Sequence, residues 1–319
     1  MKNLADLLSE RIAEKQAPIV VGLDPAYERI PLCYTMPSPE KTPFEIIAEA
    51  IFRFNTDVID AVFDLVPVVK PQLAFYEQYG SAGIIAFEKT IRYAKEKGLL
   101  VIADAKKNDI GNTAAAYAQA YLGKVEGHDG RHYPAFDVDF LTVSPFLGSE
   151  SLKPFVDACI ANNKGIFILA RTSNSSSGEI QEAVHHTGET VSVAVGRYVA
   201  DNAERFHGIT GYSSIGAVVG ATYPGEAELL RQVMPRSIFL VPGYGAQGGS
   251  AEDVTPCFNP DGFGAVVSSS RGVLYAYEKQ FTRESCTREA CKASVRAAAT
   301  AMKDAVYAAL VKHCGELAY

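Results

Sequence analysis

The 319-residue chain has no tryptophan, only four methionines and only six cysteines. The cysteines (Cys33, Cys159, Cys257, Cys286, Cys291 and Cys314) form no CxxC pair and no zinc-like spacing, which argues against a metal finger. Most fall in apolar or helical stretches, where buried thiols suit a reducing compartment. No apolar run approaches the length of a membrane span. The N-terminal MKNLADLLSERIAEKQ interrupts its leucines with charges at helical spacing, so it reads as an amphipathic helix and not as a signal peptide. A basic excess is missing too: 30 Lys and Arg against 37 Asp and Glu leave a formal charge of -7, which disfavours a nucleic-acid partner. A small anionic substrate stays possible, because a pocket needs only a few cations. There is no low-complexity linker and no fixed-period repeat. The expectation is a soluble, cytoplasmic, one-domain protein over 1–319.

What is present is ample core material, 48% of residues being hydrophobic. Eight short β-rich runs recur, at 18–24, 65–71, 99–106, 137–144, 165–171, 215–222, 237–243 and 264–270. They are continuous in Val, Ile and Leu, the pattern of parallel strands buried on both faces. Between them, 42–63, 81–97 and 187–206 carry helical periodicity, and the alanine-rich 285–314 reads as a long closing helix. This alternation predicts an α/β fold, a (β/α)8 TIM barrel with an N-terminal helix and loop insertions. The rival is an open doubly wound sheet. No GxGxxG follows the first run, which weakens its dinucleotide-binding form. Segments 123–134 and 172–187 look like insertions or mobile loops. The second directly follows a strand, which puts it at the catalytic mouth of a barrel.

Charges interrupt these runs where turn residues would be ordinary. The third run ends Asp104-Ala105-Lys106, and residues two apart on a strand share a side. Asp109 follows at the start of the next helix, near enough to join them. Lys70 closes the second run and Asp24 the first. Singly, each has a plain structural reading: Asp24 as a turn residue, Asp109 as a helix cap, Lys70 as a solvated loop residue. Together they converge on one rim, where a lysine in a barrel mouth needs a partner or a task. Alternating ammonium and carboxylate groups keep the lysines charged. Such a site can stabilise a carbanion left by a departing carboxylate, which Lys106 can then protonate. Asp104 would sit poorly beside a substrate carboxylate and well beside the neutral product, a differential that speeds a chemical step.

A second constellation lies late in the chain. V-P-G-Y-G-A-Q-G-G-S (241–250) follows the seventh run, and S-S-S-R-G (268–272) follows the eighth. Glycines allow close backbone approach to an oxyanion, Gln247 offers an amide and Arg271 a guanidinium. Ser250 could cap a following helix. Loops after strands seven and eight are the usual phosphate site of such barrels. The plain alternative is a glycine turn beside a surface arginine. Arg171 and the Ser173–Ser177 run are further candidates for phosphate or lid contacts.

With these motifs in view, I-A-D-A-K-K-N-D-I-G-N-T (102–113) resembles the D-x-K-x-x-D-I signature of the orotidine 5'-phosphate decarboxylase family. V-G-L-D-P (21–25), V-K-P-Q-L-A-F-Y-E (69–77), V-S-P-F-L-G (143–148), V-V-G-A-T (218–222), P-G-Y-G-A-Q-G-G (242–249) and S-S-R-G (269–272) extend it in order across nearly the whole chain. The length and these motifs are similar to the larger bacterial branch. The shorter branch commonly has Ile-Pro where Ile110-Gly111 stands here, and it lacks the two insertions. The resemblance implies conversion of orotidine 5'-phosphate to uridine 5'-phosphate and carbon dioxide in pyrimidine biosynthesis, without metal or organic cofactor. It implies Lys106 as proton donor, Asp104 against the departing carboxylate, and Lys70 bridging to Asp104 and, with Asp24, holding ribose hydroxyls. Ser144 would bond the pyrimidine, Gln247 and Arg271 would grip the phosphate, and Pro242 would be a further substrate-binding residue. Asp109 and Thr113 would complete the neighbouring site of a homodimer.

Two other functions fit parts of the pattern. A magnesium-dependent decarboxylase or aldolase of keto-sugar phosphates shares the D-x-K-x-x-D core, but V-K-P-Q puts a lysine where it would compete with a metal. A catalytically silent phosphate-binding barrel would not need every charged position of the signature.

Overall fold

The computed structural model describes residues 2–186, 188–245 and 248–319. All eight apolar runs form strands: β1 (Ile19–Leu23), β2 (Val68–Pro71), β3 (Leu100–Lys107), β4 (Phe140–Val143), β5 (Gly165–Arg171), β6 (Ser213–Val219), β7 (Ser237–Val241) and β8 (Ala265–Ser269). They pair in parallel and in chain order, and β8 closes on β1 through Ile19 opposite Val267. The barrel, not the open sheet, is therefore the fold. Alternation along each strand sorts the side chains. Ile19, Val21, Val69, Val101 and Leu141 face outward into the helix layer, while Val20, Val68, Leu100, Ile102 and Phe140 face inward.

The expected helices form close to their predicted bounds, as Pro43–Val62, Gly80–Glu96, Val191–Arg205 and Arg288–Cys314. Thr42 starts the first of these with a reciprocal capping box to Glu45, and Pro43 occupies the first turn, where its missing N–H loses nothing. The closing helix packs beside Pro43–Val62, and Arg288 forks both oxygens of Asp57 at 2.8 Å. The N-terminal helix, Leu4–Lys15, does not join this outer layer. Its Leu4, Leu8 and Ile12 are buried with the inward residues at the N-terminal end of the strands, so it plugs the barrel floor. Asp6 anchors the plug, accepting hydrogen bonds from Ile209 N, Thr210 N and Thr210 Oγ1.

One outer helix is reduced. Between β7 and β8 the described residues form only a 3-10 turn, Thr255–Cys257. The buried Arg231 braces this connection, donating to the carbonyls of Cys257 and Gly264 within it and of Met234 and Ser237 before it. The 123–134 insertion is an exposed hairpin pairing Val125–Glu126 with His132–Tyr133. Cys159, Cys257, Cys286 and Cys291 are buried, Cys314 is half-buried and Cys33 is exposed; all six are free thiols.

Candidate active site

At the C-terminal end of the strands lies a cavity of about 890 Å³. Its floor is built by stepping two residues up from the apolar interior. Above Val68 stands Lys70, above Ile102 stands Asp104, above Phe140 stands Thr142 and above Val266 stands Ser268; all four polar residues line the cavity. The strand period thus turns an oily core into a charged floor within about 7 Å of rise.

Asp104 is the hub. Its Oδ2 accepts from Lys70 Nζ at 2.6 Å and Gln72 Nε2 at 3.0 Å, and its Oδ1 from Lys106 Nζ at 2.6 Å and Thr142 Oγ1 at 3.0 Å. Burial alone would raise the Asp104 pKa. The ammonium groups of Lys70 and Lys106, with their hydrogen bonds, more than offset it and hold the carboxyl well below the ordinary carboxylate range. Burial likewise disfavours charge on Lys70, but Asp104 and Asp24 outweigh it and raise its pKa. The result is a fixed carboxylate between two cations. Lys106 differs from Lys70 in access: its side chain is 46% exposed, against 7%.

Lys106 also carries backbone strain. Its φ of 45° is left-handed, where a non-glycine residue costs about 1–2 kcal/mol. The β3–β4 register shifts between Ala103 and Lys107, and Thr142 Oγ1 accepts the Lys106 N–H at 2.9 Å. Thr142 therefore holds both the strained peptide and the Asp104 carboxylate. Neither Thr142 nor Gln72 was expected from the sequence. Stepping two residues along β2 from Lys70, and two along β4 from Phe140, would have found both.

The other expected residues divide. Asp24, Ser144, Pro242 and Arg271 line the same cavity as Lys70, Asp104 and Lys106. Asp24 Oδ1 is buried and has no hydrogen-bond partner among the described residues. Gly22 beside it has no room for a side chain, since a Cβ there would lie 1.9 Å from Ser270 Oγ. Gly243 (φ 104°) and Gly245 (φ 70°) take turn conformations open to glycine, bending the loop after β7 over the rim. Ser250 caps a turn with Asp253 rather than a regular helix. Gln247 lies outside the described residues.

Asp109 does not join the cluster of its own chain. The left-handed turn at Lys106 redirects the backbone, and Asp109 Oδ1 is spent on the N–H of Ile110, away from the cavity lining. Thr113 is exposed on the helix Gly111–Leu122. From the 172–187 segment, Thr172, Ser173, Asn174, Ser176 and Ser177 stand at the mouth and line the cavity. Arg171, however, is no phosphate contact. It is fully buried, and Ser177, Glu182 and Glu226 occupy its guanidinium.

A model of the family described as "Orotidine 5'-phosphate decarboxylase / HUMPS family" matches residues 17–283. The chain belongs to this family. A relative from Rhodopirellula baltica named orotidine 5'-phosphate decarboxylase is 42% identical over 304 residues, covering 95% of this chain and 99% of the relative. One from Clostridium tetani with the same name is 40% identical over 277 residues, covering 87% and 90%. Among solved structures, a putative orotidine 5'-phosphate decarboxylase from Streptomyces avermitilis superposes with a TM-score of 0.74 at 33% identity, covering 96% of each chain. The family description joins two names, and these relatives carry the decarboxylase one. The decarboxylase family's charged motif, D-x-K-x-x-D, thus maps here onto a hub whose first two members touch and whose third, Asp109, stands apart.

Proposed function

We propose that the chain decarboxylates orotidine 5'-phosphate to uridine 5'-phosphate and carbon dioxide, a step of pyrimidine nucleotide synthesis, and that it works in the cytoplasm. The observation that carries this reading is the Asp104 carboxylate held between Lys70 and Lys106, each at 2.6 Å, at the cavity floor. The bond from ring carbon C6 to the carboxylate breaks, carbon dioxide leaves, and the electron pair stays on C6. The Lys106 ammonium neutralises that developing charge and then transfers its proton to C6. Its half-exposed side chain gives solvent a route to restore the proton. Asp104, beside the substrate carboxylate, is relieved of like-charge repulsion as carbon dioxide departs. That relief appears in the transition state and not in the bound ground state, so it accelerates the step.

Around this centre, Asp24 and Lys70, which both line the cavity, hold the ribose hydroxyls. Ser144 bonds the pyrimidine. Gln247 and Arg271 take the phosphate, where a guanidinium suits bidentate contact, and Pro242 lines the substrate site. Positive charge comes from the two lysines, so the reading needs neither metal nor organic cofactor. The active unit is a homodimer in which Asp109 and Thr113 of each copy complete the other's cavity. The exposed Ile110, Phe146 and Leu147 offer apolar surface for that contact.

Turnover of orotidine 5'-phosphate, followed by ultraviolet absorbance with excess EDTA, tests the assignment. Conversion to uridine 5'-phosphate at the same rate with and without chelator is expected. Well-folded protein without turnover would overturn it and direct attention to keto-sugar phosphates with magnesium.

A further inference from the structure

Arg171 ends β5 and is the largest fully buried side chain among the described residues. Burying a guanidinium demands partners, and it has four. Nη1 donates to Ser177 Oγ at 2.7 Å, and Nη2 donates to Glu182 and to Glu226 Oε1 at 2.9 Å. Nε lies 2.5 Å from Glu226 Oε2, and the guanidinium plane stacks on Tyr223 with 3.8 Å to the ring centroid. Ser177 and Glu182 belong to the 172–187 segment, while Glu226 and Tyr223 belong to the start of the helix after β6. One cation therefore ties the segment over the cavity to the barrel wall.

Smaller contacts follow the same course. Thr222 Oγ1 donates to Ser173 O at 3.2 Å and Tyr223 OH to Asn174 O at 3.3 Å. Gln181 Oε1 accepts from Thr172 N at 2.9 Å, and its Nε2 donates to Thr172 Oγ1 at 2.8 Å, closing the loop on itself. Gly220 lets the loop lie against β6, since a Cβ there would come within 2.9 Å of Ser173 Cα. The other face of the loop lines the cavity, together with Thr142 and Ser144 at the end of β4.

We propose that Arg171 is a positioning residue: by clamping Glu182 and Glu226 it fixes the 172–182 roof over the bound nucleotide, and so sets nucleotide affinity without touching the nucleotide. This rests on the decarboxylase reading above. The roof is preorganised, so its contacts form without an ordering penalty at binding. Loosening it lowers affinity for substrate and product alike and leaves the Lys106–Asp104 chemistry intact. Such uniform binding appears in KM and not in kcat.

Glu182→Ala is the cleanest test, because the Glu182 side chain is 53% exposed and its loss empties no core. Arg171→Lys is the second variant, keeping the charge but losing the fork that spans two carboxylates. For Glu182→Ala the expected result is a KM for orotidine 5'-phosphate raised about tenfold, with kcat within about threefold. Calorimetric binding of uridine 5'-phosphate should weaken by the same factor, with an unchanged unfolding midpoint. Arg171→Lys should shift KM further in the same direction. Wild-type KM and product affinity in folded Glu182→Ala would overturn the proposal, whether or not Arg171→Lys folds. A wild-type enzyme without turnover would instead overturn the activity on which it rests.

Discussion

The two ends of the barrel are built from the same strands and do opposite things. Toward the N-terminal end, Val20, Val68, Ile102, Phe140 and Val266 are buried in one apolar cluster with Leu4, Leu8 and Ile12 of the plugging helix. Two residues further along, Lys70, Asp104, Thr142 and Ser268 replace that surface with a hydrogen-bonded floor. The difference teaches that stability and chemistry are separated here by one strand period. The lower layers supply the burial that lets the upper layer hold a buried ion network and a strained Lys106 peptide.

Four substitutions or conditions sharpen that division. The largest effect belongs to Lys106→Ala, which removes the proposed proton donor and one of the two cations beside Asp104. Its kcat should fall at least about 10³-fold, and its unfolding midpoint should stay near the wild-type value, because the side chain is half exposed. Leu8→Ala inverts the pattern. Leu8 is fully buried in the plug, so denaturant titration should show a loss of about 2–5 kcal/mol, with kcat per folded molecule retained. If Leu8→Ala instead abolished activity in folded protein, the two ends would not be separable.

Thr142→Val keeps volume and burial but deletes the hydroxyl shared by Asp104 and the Lys106 N–H. It straddles the division. Stability should fall by about 1–3 kcal/mol, as for an unsatisfied buried group, and kcat should fall as Lys106 loses its seat. A stability loss without any change in kcat would make Thr142 part of the scaffold alone.

The smallest effect expected is one of pH. The folded-state pKa of Asp104 is depressed, so its network contributes stability above the ordinary carboxylate value of about 3.9 and loses it only as pH falls through the lower folded value. Between pH 5 and 8 this contribution should be flat. The unfolding difference between wild type and Asp104→Asn should therefore not vary over that window; a difference shrinking toward pH 5 would mean Asp104 titrates there.

Much of this was legible in the chain. Uninterrupted Val/Ile/Leu runs marked all eight strands, because parallel strands are buried on both faces, and alternation placed Asp104 and Lys106 together. Thr142 and Gln72 escaped notice because a threonine in a β-rich run and a glutamine after proline look ordinary until the strands are set in register. Of the phosphate and lid contacts open to Arg171, only the lid contact forms, and spacing alone could not choose between them. An arginine at a strand end before a Ser-rich stretch has the pattern of an anion ligand, and only packing reveals that Glu226, 55 residues away, occupies it. The position of Asp109 likewise depended on the left-handed turn at Lys106, which no local propensity favours.

The central claim is that Lys106 moves a proton to and from ring carbon C6 while the rest of the floor holds it in place. By microscopic reversibility, the enzyme in deuterium oxide should exchange the C6 proton of uridine 5'-phosphate, read by proton magnetic resonance as loss of the C6–H signal. The account predicts exchange by the wild type and none above background by a Lys106→Ala protein that still binds the nucleotide. Exchange at the wild-type rate without Lys106 would contradict it.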